Sequence, residues 1–146
     1  MSINYAALIE ERNRTNAFAN YIGLKLTDMS EGFAATEMDT PEMATNPIGS
    51  VHGGVLFTAA DVAAGSAALS YGSQVVTMSS SFHYLSPGLG TTRIRAEGRV
   101  IKHGRSVSVV QVDVLNQDGV ILCTGTFSYM AIDGAPPLPG LKAEKA

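Results

Sequence analysis

One cysteine, Cys123, occurs in a chain of 146 residues, so no intrachain disulfide can form. That fits a reducing compartment and makes the cytoplasm the expected location. There are three histidines, His52, His83 and His103, and no two of them stand at ligand spacing with a third donor. No metal site is expected. Charge is sparse as well: 16% of residues are charged, the formal net charge is -3, and no basic cluster is denser than residues 93–105. Duplex nucleic acid is therefore not an expected partner. The longest apolar run is interrupted by Asp61 and by glycines and falls short of a membrane span. The N-terminal MSINYAALIEERNRT turns charged by Glu10 and lacks the apolar core of a signal peptide. Neither an internal repeat nor a second domain is visible. One domain is expected, over residues 1–134, and a chain of this length can bury about 68 to 70% of its unfolded surface without staples.

What is present is organised around residues 46–71, NPIGSVHGGVLFTAADVAAGSAALSY. A loop with Pro47 and Gly49 leads through His52-Gly53-Gly54 into a run whose polar residues, Thr58, Asp61 and Ser66, form no wide solvent-facing stripe. A helix apolar on nearly every side is expected to be buried.

The flanking elements follow from periodicity and punctuation. Residues 3–20 read as a surface helix with Ser2 as N-cap, closed by Gly23. Residues 24–29 and 33–39 alternate about the turn Ser30-Glu31-Gly32 and read as a hairpin. Residues 75–85, 91–102, 105–116 and 120–132 read as strands, and tight turns make these last four an expected antiparallel meander. A change of phase between Val109 and Val110 implies a bulge, or a strand partly covered on both faces. Residues 135–146 have the composition of a disordered tail. The fold class is α+β. A flat sheet cannot cover every side of one long helix, whereas a curved antiparallel sheet wrapped around it can.

Asp61 is the charge this arrangement must explain, because burying an unpaired carboxylate costs several kcal/mol. It could act as nucleophile or as general base toward a water. At the start of the helix, Gly53 and Gly54 lie among the unpaired N–H groups of the first turn and permit close approach. A carbonyl oxygen developing negative charge would be stabilised there. Gly53 and Asp61 stand eight residues apart, which is about 12 Å along a helix axis, too far to meet at one reacting carbon. Two antiparallel copies about a two-fold axis can bring Gly53 of one chain to Asp61 of the other. An active site made of these residues is therefore expected at a homodimer interface, where Ala59, Ala60, Ala63, Ala64 and Gly65 allow close packing.

Asn46, then His52-Gly53-Gly54, then Asp61 nine residues past the histidine, resembles the hotdog-fold acyl-CoA thioesterases of the phenylacetate-degradation (PaaI) type. The likeness spans residues 15–132 and includes Tyr84-Leu85-Ser86-Pro87 and Lys102-x-Gly104-Arg105. The resemblance implies hydrolysis of an acyl-CoA to free acid and coenzyme A, with no cofactor beyond the coenzyme A of the substrate. It implies that Asp61 activates water or attacks the thioester, and that the Gly53 N–H polarises its carbonyl. It also implies that Asn46 and His52 orient water or substrate, that Thr77 helps hold the water, and that the protein is a homodimer or homotetramer with shared sites. Lys102, His103, Gly104 and Arg105 then become candidates for the nucleotide end of coenzyme A. Gly54 joins the substrate-binding set, and Phe57, Met78, Phe82 and Tyr84 suggest an apolar pocket for an aromatic or medium-length acyl group. Arg93, Arg95 and Arg99 share one strand face, either a phosphate site or the solvated outside of the sheet. His52 could equally cap the helix or bond to Asn46, and Cys123 reads as a buried strand thiol. Two other functions fit a hotdog domain: a non-catalytic acyl-CoA sensor, and a hydratase or dehydratase acting on an acyl thioester.

Overall fold

The computed structural model describes residues 2–138. Helix α1 (Tyr5–Thr15) and the short α2 (Ala17–Ile22) are followed by β1 (Lys25–Ser30) and β2 (Phe33–Asp39). After one 3-10 turn (Glu42–Ala44) comes the long α3 (Gly53–Leu69), then β3 (Val75–Tyr84), β4 (Arg93–His103), β5 (Val107–Asn116) and β6 (Ile121–Ala131). One antiparallel sheet runs in the order β1-β2-β4-β5-β6-β3. Helix α3 touches every one of its strands. This is the hotdog architecture, a sheet curled around one helix with an added N-terminal helix.

Small residues set how closely the sheet wraps. A Cβ on Gly98 in β4 would lie 3.0 Å from the Ala64 Cα, so helix and strand meet backbone to backbone there. Ala59, Ala60, Ala63, Ala64 and Ala67 are fully buried against an inner sheet face that includes Ile94, Ala96, Val110, Val112, Val114 and Phe127. The small residues expected to face a second chain, Ala59, Ala60, Ala63, Ala64 and Gly65, are therefore used within one chain, where they let the sheet close on the helix. Alternation in β5 places Val110, Val112 and Val114 inward and leaves Val107 and Val109 half-buried outside. The bulge suggested by the Val109-Val110 phase lies in the partner strand, where Ile101 is the extra residue opposite them. Outer-face cover and a bulge therefore coincide.

Further expectations change. The N-terminal helix is two helices: Asn4, not Ser2, caps α1 by accepting the Ala7 N–H. The chain then breaks at Asn16, whose side chain starts α2 by accepting the Ala19 N–H. Asn13 fixes the pair to the sheet by bonding both the N–H and the carbonyl of Leu26 at 2.9 Å. Second, β3 does not open a meander. It pairs with β6 and ends the sheet, while β4 pairs with β2. The link from β3 to β4 holds Pro87, Gly88 and Gly90 and is too long for a hairpin. It crosses the β5–β6 turn, where Gln117 accepts the Thr92 N–H and donates to the Gly90 carbonyl. Third, Leu138, in the segment expected to be tail, is 4% exposed and packs on the core. The remainder of that expectation, residues 139–146, lies outside the described residues.

Helix α3 is also not covered on every side within one chain. Gly54 is exposed and Phe57, Thr58, Asp61 and Val62 are half-buried, forming a stripe that opens beside the free edge of β3. β3 itself exposes Val76, Met78 and Tyr84. An apolar helix stripe next to an unpaired strand edge is a surface suited to another chain.

Candidate active site

Asp61 lies midway along α3 and is held by hydroxyls. Tyr129 of β6 donates to the Asp61 Oδ1 at 2.8 Å and also lies 3.0 Å from the Asp61 backbone carbonyl. Thr77 of β3 donates to the same Oδ1 at 3.0 Å. Oδ2 accepts no hydrogen bond among the described residues. The local fold explains the convergence: Thr77 and Tyr129 are direct cross-strand partners, and the following Met78 is the extra residue of a bulge in β3. Burial foremost, then the Asp61 charge, pushes the Tyr129 phenol well above its ordinary value, so it stays protonated and acts as the donor. Replacing Tyr129 by Phe should cost roughly 1 to 2 kcal/mol of stability, since one hydrogen bond to a carboxylate is lost in a half-buried place. A urea-unfolding midpoint equal to that of the unaltered protein would contradict this bond.

The carboxylate faces a cavity of about 150 Å³ lined by Arg12, Asn16, Asp61, Val62, Gly65, Leu69, Val75, Thr77 and Tyr129. Arg12 reaches it from α1. Its Nε is buried with no hydrogen-bond partner among the described residues. Desolvation lowers its pKa, and the nearby Tyr129 and Asp61 partly offset that shift.

The other half of the predicted set gathers at the start of α3. His52 is the N-cap: its Nδ1 accepts the Gly54 N–H at 2.9 Å, which leaves the proton on Nε2. With Gly54 it borders a cavity of about 380 Å³ beside Phe18, Met43 and Thr58, which neither Gly53 nor Asp61 lines. Asn46 does not bond to His52. Its Oδ1 accepts from the N–H groups of Ile48 and Ser50, and its Nδ2 donates to the Ser50 hydroxyl at 2.6 Å, so it folds the loop before the helix. The Gly53 N–H makes no hydrogen bond among the described residues and borders another cavity, of about 260 Å³, with Asn46, Ser50, Tyr84 and Ser86. Tyr84 holds this end together by donating to the Gly53 carbonyl at 2.9 Å. Asp61 does not border that cavity, and Gly53 does not border the first.

Phe57, Phe82 and Tyr84 belong to one aromatic cluster with Phe127, at ring spacings of 5.1 to 5.9 Å. Met78 stands apart from it in the bulge, 49% exposed. Lys102, His103, Gly104 and Arg105 lie at the far end of α3 from Gly53, where His103 stacks on Tyr71 with centroids 3.8 Å apart. The arginine row resolves as the outside of the sheet. Arg93 pairs with Glu37 and Asp39, Arg95 with Asp28, Glu37 and Glu97, and Arg99 lies over the Phe33 ring. Cys123 is fully buried and its thiol is pushed up to about 12, which removes it as a thiolate nucleophile near neutral pH. No group of three His, Cys, Asp or Glu side chains suited to a metal ion occurs among the described residues, and no described helix is long and apolar enough to cross a membrane.

Residues 48–123 match the family model of the thioesterase superfamily, a stretch that includes His52, Gly53, Asp61 and Thr77. The chain belongs to the thioesterase superfamily. It is a thioester hydrolase of the hotdog fold, similar to the acyl-coenzyme A thioesterase PaaI of Escherichia coli, at 31% identity over 70% of this chain and 73% of that one. The solved structure of the E. coli PaaI protein superposes with a TM-score of 0.85 at 26% identity, covering 92% of this chain and 99% of that one. A Streptococcus mutans protein solved bound to acetyl CoA is 30% identical, with a TM-score of 0.70 over 75% of this chain and 89% of that one.

Tyr129, Arg12 and Asn16 line the candidate site and were missed by sequence reasoning. Tyr129 shares the inward alternation of Cys123, Gly125 and Phe127 in the last strand. That periodicity was available, but the pairing of β3 with β6, which brings Tyr129 opposite Thr77, was not. Arg12 and Asn16 stand four apart at the end of the N-terminal helix; nothing in their spacing indicates that they border the cavity beside Asp61.

Proposed function

We propose that this thioesterase superfamily member hydrolyses an acyl-CoA to free acid and coenzyme A in sites shared between two copies of the chain. The observation that carries the reading is the state of Asp61. Both of its hydrogen bonds come from neutral hydroxyls and fall on Oδ1, leaving Oδ2 to face the substrate or a water. A carboxylate used structurally would be expected to pair with a cation or to spend both oxygens. In the proposed reaction Oδ2 takes a proton from the attacking water, or itself attacks the thioester carbon. The Gly53 N–H of the other copy, at the positive end of α3, stabilises the oxyanion.

Pairing of two chains along the β3 edges, with their α3 helices antiparallel, would cover the open stripe and bring the two half-sites together. Further pairing of dimers gives the homotetramer expected from the resemblance. Asn46 shapes the loop beside Gly53, His52 presents Nε2–H toward substrate or water, and Thr77 positions Asp61 directly. Lys102, His103 and Arg105 offer donors and charge to the phosphates of coenzyme A. The E. coli relative named as an acyl-coenzyme A thioesterase supports this substrate class. The cytoplasm, where acyl-CoAs are made and consumed, is the proposed location.

The test is release of free thiol from aryl, short, medium and long acyl-CoAs. Turnover of one class or more is expected. Tight binding of acyl-CoA without thiol release would replace this reading with a sensor.

A further inference from the structure

We propose that Arg12 makes the cavity beside Asp61 a receptor for an acyl group that ends in a carboxylate, so that the preferred substrates are monothioesters of short dicarboxylic acids. The proposal rests on the thioesterase reading and specifies its acyl group.

Four observations lead to it. Arg12 lines the same cavity as Asp61, yet no ion pair joins the two, and no described carboxylate lies within ion-pair distance of Arg12. Its Nε is buried and without a partner among the described residues. A half-buried guanidinium with a desolvated Nε and no bonded counter-charge is costly, and its planar fork matches a carboxylate bidentately. Asn16, at the break between α1 and α2, lines the cavity too, and with its Oδ1 taken by the Ala19 N–H it has only its amide N–H groups to offer a ligand.

The remaining walls fix the size and the middle of the ligand. Between the polar groups the cavity is bordered by Val62, Leu69 and Val75, a surface for methylenes. A cavity of about 150 Å³ is the size that accommodates a benzene ring, so the acyl group is short, on the order of four to six carbons. The thioester carbon must lie against the Asp61 Oδ2, which places the far carboxylate at the opposite end of the acyl chain and away from the like charge of Asp61. The groups facing Arg12 are Asp61 and Tyr129, and the tyrosine stays neutral. Inside the cavity, then, the one negative charge already present is the catalytic one, and the arginine is left to bind an anion brought by the substrate.

The experiment compares glutaryl-CoA and adipoyl-CoA with pentanoyl-CoA and hexanoyl-CoA. The unaltered protein should show kcat/KM at least tenfold higher for the carboxylated member of each pair. Arg12→Met should lower that ratio at least tenfold, and Arg12→Lys, which keeps charge and loses the fork, should lower it less. Binding of the same four thioesters to the Asp61→Asn protein, by calorimetry, reads the preference without requiring turnover. A carboxylate preference there, without hydrolysis by the unaltered protein, would uphold the receptor while the hydrolase reading fell. Equal kcat/KM and equal affinity within each pair, or an Arg12→Met ratio unchanged within threefold, would overturn the proposal. So would loss of activity on both members alike, which would make Arg12 a positioning residue for Asp61.

Discussion

Asp61→Asn should lower kcat for thioester hydrolysis by roughly 10² to 10⁴, the range that a positioned general base contributes, with KM changed far less. The substitution is nearly isosteric. Its amide oxygen can still accept from Tyr129 and Thr77, so the two hydroxyls that fix the side chain keep their bonds. What is lost sits at the other position, where an NH₂ group replaces the acceptor Oδ2 and can neither take a proton from water nor attack a thioester. The measurement is steady-state thiol release alongside an unfolding curve for the same preparation. Turnover within threefold of the unaltered protein, with an unchanged fold, would remove Asp61 from the mechanism. Loss of turnover together with loss of the fold would decide nothing by itself, and for that reason Tyr129→Phe is the useful companion, since it weakens the support of Asp61 while leaving both carboxylate oxygens.

The fold was legible where local pattern and global architecture agree. The long apolar helix, the hairpin before it and the tight turns at residues 103–106 and 116–120 each carry their own signal, and each is found. Strand order was not legible, because nothing local distinguishes a long turn from a crossover. Residues 86–92 contain the proline and glycines of a turn, yet they carry the chain past the β5–β6 hairpin to a strand that lies between β2 and β5. The candidate site divides along the same line. Asp61, His52 and Gly53 stand out as a charge and two breaks in an apolar run. Tyr129 and Arg12 do not, since an aromatic in a strand and an arginine in an amphipathic helix look ordinary until pairing and packing bring them to Asp61. Asn46 lies at that end of α3, and its bonds to Ile48 and Ser50 depend on a loop conformation that the sequence does not specify. The uncovered stripe on α3 was hidden because Phe57 and Val62, which flank Asp61 on it, read as core.

Removing one N–H at the start of that helix should be nearly as damaging as removing the carboxylate. Gly53 follows the N-cap and is the first helical residue, a position where proline is well tolerated because its missing N–H would make no helical bond. His52, at φ -60° and ψ 132°, already has the extended conformation that a following proline requires. A Cβ at position 53 meets the Tyr84 ring at 3.3 Å, a tight contact shared by any substitution there. Gly53→Ala has this crowding and keeps the donor; Gly53→Pro has it and loses the donor. The difference between them isolates the oxyanion contact, and Gly53→Pro should fall below Gly53→Ala in kcat by roughly 10² to 10³. Because Gly53 and Asp61 border different cavities of one chain, the two defects should also complement each other. When Gly53→Pro and Asp61→Asn subunits are mixed at random, half of the dimers are mixed, and each of those carries one site with both defects and one with neither. Activity should return to about one quarter of that of the unaltered protein, although each parent is nearly inactive. Recovery no greater than the sum of the parents, in a preparation shown by mass to contain mixed dimers, would place Gly53 and Asp61 in separate roles and end the case for a shared site.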